Sequence, residues 1–329
     1  MHRTDWFHES RYGVMFHFMP QPWKETEQSY PLHEPGEFPS PIEWNRLVDE
    51  FDVDAVGEQL SQVKAGYLLL SLGQTSGYYL APNPVYDELS GFRPGERCST
   101  RDLPSDLHRV LDRHGLRLML YLPVETAAEV EDAFGRKKGD AKARAPRPDV
   151  FIERWAQVIQ WWSDHYGSAV AGWWFDGQGD TPEQNERLAA AARHGNPECI
   201  TNLGDAGDYT GGHCAVAHRR RPEPEWYGRI DWDVQAERLP EGRFTAEGQQ
   251  WHTLLHLGEH WWDRDGFYDT DTEVAYTRNV IDRGGVVTWD CGPNIGRSDG
   301  AIGTISDVQM TKLIRIRDAV WRDEYTPDV

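Results

Sequence analysis

The sequence predicts an α/β fold, a (β/α)8 TIM-like barrel, on three observations. Short apolar runs rich in β-branched and aromatic residues recur along the chain, each followed by a turn and a helical pattern, as in βα units around a parallel sheet. The length of 329 residues suits one such barrel. The first run leads into Met19-Pro20-Gln21-Pro22, where an open doubly wound sheet would normally carry a glycine-rich phosphate turn.

Strands are predicted at 12–18, 67–72, 116–123, 172–176, 199–203 and 285–291, with two less distinct ones between 203 and 285, which makes eight. Helical patterns cover 53–64, 103–114, 151–166, 183–193 and 273–283, and the first and third carry apolar residues at three- and four-residue spacing. Asp102 stands where the second of these helices needs a cap. The stretches 21–41, rich in Pro, Glu and aromatics, and 141–148, basic with two prolines, read as long loops. On a barrel such loops build or cover the site. No internal repeat, low-complexity tract or linker divides the chain, so 1–329 reads as a single catalytic barrel domain.

A hydrophobic fraction of 39% and an aromatic fraction of 12% exclude a disordered chain. No apolar run approaches the roughly 20 residues that span a bilayer, so a soluble globular protein is expected. Met1 to Trp6 lacks the basic start and apolar stretch of a secretory signal, which makes the cytoplasm the expected location. Cys98, Cys199, Cys214 and Cys291 are scattered without a C-x-x-C pair and read as reduced packing thiols, with no disulfide or zinc site. A net charge of −20 repels phosphate backbones and anionic lipid, which argues against nucleic-acid and membrane partners. The fifteen tryptophans point to carbohydrate, because flat apolar rings with a polar edge stack on sugars. Nothing in the chain indicates its oligomeric state.

In a barrel, polar residues at the carboxyl ends of strands are the expected catalytic positions. Gly172-Trp173-Trp174-Phe175-Asp176-Gly177 is an apolar strand ending abruptly in a carboxylate and a flexible turn, so Asp176 is the first candidate. The alternative, that Asp176 caps the helix opening near Thr181, is weaker because Asp180 or Thr181 is better placed. Glycoside hydrolysis needs a second carboxyl across the scissile bond. Glu223, Glu225, Glu237, Glu247 and Glu259 are available, and spacing does not choose among them; each also reads as a solvated surface residue.

The segments 6–18, 51–72, 102–123, 173–177, 231–240 and 280–293 together resemble the catalytic domain of the family 29 glycoside hydrolases, the retaining α-L-fucosidases. That family's first strand, F-G-[LI]-F-x-H-W-G, is resembled by Tyr12-Gly13-Val14-Met15-Phe16-His17, which implies that His17 binds the sugar, with a core histidine as the alternative. Its W-x-D at the end of strand four is matched by Trp174-Phe175-Asp176, implying that Asp176 is the nucleophile and Trp174 a substrate contact. Its late strand G-N-x-L-L-N-x-G-P is similar to Gly285-Val286-Val287-Thr288-Trp289-Asp290-Cys291-Gly292-Pro293. Some members carry the acid/base in D-[FY]-x-x-x-E, which can be laid on Asp231 to Glu237 with Asp233 or Asp231 as the leading Asp, implying Glu237 in that role; Glu225 and Glu259 stay as alternates, since this position varies within the family.

The departures are as informative. Where fucosidases have K-H-H-D-G-F after strand two, this chain has Ser71-Leu72-Gly73-Gln74-Thr75-Ser76-Gly77-Tyr78, without either histidine. An Arg that often follows strand five is replaced near Asn202-Leu203-Gly204-Asp205, and of the tyrosine pair ending strand three only Tyr121 remains, its neighbour being Leu122. No C-terminal β-sandwich is expected after the barrel. Gln74, Thr75, Tyr78 and Tyr79 are candidates to replace the lost contacts, because an unpaired buried hydroxyl costs about 1–3 kcal/mol; a structural turn is the alternative. Trp251, His252, His256 and Glu259 fall where the family has an aromatic pocket wall, with barrel packing as the alternative. The expected function is a retaining exo-glycosidase without metal or organic cofactor, its sugar left open by the rewritten 73–79 loop. The alternatives are a catalytically silent sugar-binding barrel, or a transglycosylase or lyase on a related glycoside.

Overall fold

The computed structural model describes residues 2–19, 40–211, 242–258, 261–296 and 300–321. Within them lie seven strands: β1 (Tyr12–Phe16), β2 (Tyr67–Ser71), β3 (Arg117–Pro123), β4 (Val170–Asp176), β5 (Ile200–Thr201), β6 (His252–His256) and β7 (Val286–Cys291). All pair in parallel, in the order β5-β4-β3-β2-β1-β7-β6. Residues 208–210 draw the two edges of this sheet together. The Asp208 N–H donates to Thr201 O at 2.7 Å, while the Thr210 N–H donates to Gln250 O at 3.0 Å and the Gln250 N–H to Asp208 O at 2.9 Å. The parallel bridge between Tyr209 and Gln250 thus stands in the eighth position, and the α/β architecture is a TIM-like barrel.

Helices α1 (Asp5–Glu9), α2 (Pro41–Asp49), α3 (Val53–Gln62), α4 (Pro84–Ser90), α5 (Leu103–Arg113), α6 (Asp149–Tyr166), α7 (Pro182–Arg193), α8 (Thr270–Asp282) and α9 (Asp307–Val320) accompany the strands. Side-chain caps set the starts of several of them. Asp52, Asp102 and Thr181 accept from the backbone N–H three residues on in α3, α5 and α7, as Ser306 does in α9. Among the described residues Asp176 caps no helix. The predicted helices and the six delimited strands agree with these elements to within a few residues, β5 being shortened to two; of the two further strands expected between 203 and 285, the described residues contain β6, with the Tyr209–Gln250 bridge at the other place. The predicted 21–41 loop gives way to α2 at Pro41, opened by a capping box between Ser40 and Glu43 with Pro41 in its first turn; residues 21–39 of that loop lie outside the described residues. No helix among the described residues is long and apolar enough to cross a membrane. Cys98, Cys199 and Cys291 are buried free thiols whose burial raises their pKa, and Cys214 lies outside the described residues.

Side chains alternate along each strand, so every second residue enters the barrel. The bottom layer is polar and plugged from below. Tyr67 donates to Thr288 Oγ1 at 2.6 Å, Thr288 lies 2.7 Å from His252 Nε2, and the opposite nitrogen, Nδ1, lies 3.1 Å from Thr210 O. The carbonyl can only accept, so His252 is protonated on Nδ1 and takes the Thr288 hydroxyl proton on Nε2. Burial holds its pKa down to about 3, hence the ring is neutral. Phe7 of α1 packs on Tyr67, Tyr209 and His252 beneath it. Gly13 has no side chain because the Tyr67 ring occupies that space; a Cβ there would stand 2.3 Å from it. The middle layer is apolar, where Met119 and Ile200 close over Gly172. Two residues further along each strand the inward positions become polar again.

Candidate active site

That top layer holds His17, just beyond β1, with Tyr121 of β3, Trp174 and Asp176 of β4, His256 of β6 and Asp290 of β7. Period-two alternation brings them together: Asp176 is two and four residues beyond Trp174 and Gly172, and Asp290 is two beyond Thr288. Asp176 is half-buried at the very end of its strand, and the chain leaves it through exposed Gly177 at φ +86°, a left-handed turn that suits glycine. Its backbone carbonyl accepts the Val124 N–H at 2.8 Å, which ties the ends of β3 and β4. Asn202 clamps the residue before it, accepting from Phe175 N at 2.7 Å and donating to Phe175 O at 3.0 Å.

A row of hydrogen bonds orients the carboxylate. Gln74 Nε2 donates to the Tyr121 hydroxyl at 2.6 Å, and that hydroxyl donates to Asp176 Oδ2 at 2.7 Å. Oδ1 makes no hydrogen bond among the described residues. The Tyr121 ring is stacked on Trp174 at 5.3 Å with 11° between planes, and His17 packs edge-on against Tyr121 at 5.3 Å. Trp174 Nε1 donates to Gly211 O at 2.9 Å, leaving the indole fixed. Opposite, His17 Nδ1 lies 2.7 Å from Asp290 Oδ1, and both side chains are buried. Trp261 and Trp262 close that side, 5.7 and 6.2 Å from the His17 ring, while His256 packs on Trp261 at 4.9 Å and donates from Nδ1 to Gly258 O at 2.7 Å.

The structure therefore brings together His17, Gln74, Tyr121, Trp174 and Asp176. Gln74 enters the group through Tyr121, and its Oε1 accepts the Thr75 N–H at 2.8 Å, so the amide serves the framework. Tyr78 is not in this row: it packs against Trp44 under the Arg97 guanidinium, and burial raises its pKa. Tyr79 is directed into the core beside Tyr86 and Trp162. Trp251 precedes the inward-facing His252 by one residue, so it stands at the amino end of β6 and faces outward against Gly285, away from Asp176. The aromatic wall beside the group is Trp261 and Trp262 instead. Glu247 is exposed, and Glu223, Glu225, Glu237 and Glu259 lie outside the described residues. Asp290 is the member that sequence reasoning missed; it stands one residue before the end of β7. Among the described residues no cluster of three or more His, Cys, Asp or Glu is arranged to hold a metal ion.

A half-buried carboxylate at the carboxyl end of a barrel strand, oriented by a phenol and flanked by indoles and an imidazole, defines a barrel with a candidate active site at its mouth. Solved α-L-fucosidases share the fold. An α-L-fucosidase from Lactobacillus casei, AlfC, in complex with its α-L-fucose product superposes with a TM-score of 0.63 at 17% identity, covering 98% of each chain. A putative α-L-fucosidase from Bacteroides thetaiotaomicron gives 0.63 at 14% identity, over 97% of this chain and 75% of that one. A bacterial fucosidase bound to an iminocyclitol inhibitor gives 0.61 at 15%, over 98% and 74%. No family model matches the sequence, and no curated protein matches it.

Proposed function

We propose that this protein is a retaining exo-glycoside hydrolase of the α-L-fucosidase type, acting in the cytoplasm on small glycosides. The observation that carries the reading is Asp176 itself, with Oδ2 held by Tyr121 at 2.7 Å and Oδ1 bonded to none of the described residues. In the first step an Asp176 oxygen bonds to the anomeric carbon as the glycosidic C–O bond breaks, and Glu237 gives its proton to the leaving oxygen. In the second, the Glu237 carboxylate takes a proton from water, whose oxygen displaces Asp176 and frees the sugar. Retention requires the two carboxyls to lie about 5–5.5 Å apart. Glu225 and Glu259 are the alternates for the acid/base. The fold shared with α-L-fucosidases supports this reading, as does the match of Trp174-Phe175-Asp176 to that family's nucleophile motif.

The sugar is a separate matter. Where the family grips fucose with two histidines, Gln74 here is engaged with Tyr121, which favours a sugar other than L-fucose. A panel of aryl glycosides, α-L-fucoside included, tests both points on wild type, Asp176→Gly and Glu237→Ala, with and without azide. Turnover of one glycoside, lost in both variants and partly restored by azide, is the expected result and names the sugar. Absence of turnover across the panel, with sugars still bound, would instead favour a silent sugar-binding barrel.

A further inference from the structure

We infer that Asp290 is a positioning residue that holds the ring proton of His17 on Nδ1 and so presents Nε2 to the site as a hydrogen-bond acceptor. Asp290 is 1% exposed, and its two oxygens have two different partners. Oδ2 lies 2.9 Å from the Trp262 backbone N–H, which can only donate. Oδ1 lies 2.7 Å from His17 Nδ1. An ionised carboxylate has no hydrogen to give, so Nδ1 must carry the proton. Nε2 then remains, with no hydrogen bond among the described residues, on a ring packed edge-on against Tyr121, Trp261 and Trp262.

The second contact has its own purpose. Trp262 adopts φ +61°, a left-handed conformation that costs a side-chain-bearing residue stability. Its N–H is the group that Asp290 Oδ2 receives, so one carboxylate fixes both the imidazole and the strained indole turn beside it. An Asn at 290 could not do this in the same way. Its single carbonyl oxygen would take the Trp262 N–H, its NH2 would donate to Nδ1, and the ring proton would move to Nε2. The direction of the hydrogen bond offered to a sugar hydroxyl would reverse.

That His17 meets a sugar rests on the glycosidase reading; the clamp by Asp290 does not. Nitrogen-15 NMR of histidine-labelled protein separates the two, the His17 signals being identified by their loss in His17→Gln. In wild type Nδ1 is expected to be protonated, and in Asp290→Asn the neutral ring is expected to carry its proton on Nε2. A wild-type ring protonated on Nε2, alone or together with Nδ1, overturns the inference whether or not the variant folds, and so does an unchanged ring in a folded Asp290→Asn. With the glycoside that the enzyme turns over, Asp290→Asn is expected to raise KM about tenfold with a smaller change in kcat. A reversed tautomer with unchanged KM would remove the sugar-facing role of Nε2.

Discussion

Tyr121→Phe removes one hydroxyl and nothing else of bulk, because the phenyl ring keeps its stack on Trp174 and its edge contact with His17. The lost O–H donates to a carboxylate at 2.7 Å, a charge-assisted bond of about 1.5–3 kcal/mol. In the proposed two-step mechanism the chemical steps use it differently. During attack Asp176 gives up charge, so the bond weakens toward the transition state and its loss is felt little. During hydrolysis of the glycosyl ester the carboxylate departs and regains its charge, so the hydroxyl stabilises the transition state more than the ester. The second step should therefore slow by about 10- to 150-fold. In steady state kcat and KM fall together, kcat/KM changes much less, and a burst of aglycone appears at the first turnover. Melting temperature serves as the control. A kcat/KM reduced as far as kcat, without a burst, would refute this division of labour.

Acid stability should depend on His252, whose pKa falls from 6.5 unfolded to about 3 folded because burial opposes its charge. The unfolded chain takes a proton near 6.5 that the native state refuses, so this contribution is complete above 6.5 and is lost as pH falls toward 3, on the order of 5 kcal/mol in all. Glu273, raised to about 7 by burial against the partial offset of Lys312, acts in the opposite sense, its contribution fading as pH rises from 4.5 to 7. Urea unfolding of His252→Gln across that range should therefore show a shallower acid limb than wild type, and an equal limb would contradict the assignment. Lys312→Met leaves Glu273 buried without the ammonium that now contacts both its oxygens at 2.8 and 2.9 Å, and should cost about 3–5 kcal/mol at neutral pH. Adding Glu273→Leu should recover most of that loss in the same denaturation assay.

Asp176 could be read from the sequence because an apolar run stops on an acid and then on glycine, which is how a barrel strand delivers a carboxylate to its mouth. Asp290 carries the same signal weakly, since Cys291 prolongs the apolar run past it and hides where the strand's inward row ends. Trp251 shows the converse. Its aromatic neighbourhood suggested a pocket wall, yet one residue of register turns a side chain from the lumen to the helices, and only the bounds of β6 fix that register. Gln74 was placed near the sugar by its position after β2, but its bond to Tyr121 joins residues 47 apart and leaves no local trace. The α2 helix was hidden by Pro41 and its polar surroundings, although Ser40 and Glu43 already spelled a capping box.

The most direct test of the central claim is to trap the covalent ester. An activated 2-deoxy-2-fluoro glycoside of the sugar found by the panel forms the ester with a retaining enzyme but slows its hydrolysis, because the fluorine destabilises the oxocarbenium-like transition state. Proteolysis and mass spectrometry should then find one sugar on the peptide containing Asp176, and none on the Asp176→Gly protein. A label on another carboxylate would contradict the assignment, and an unlabelled enzyme that releases the inverted anomer from its substrate would contradict the mechanism itself.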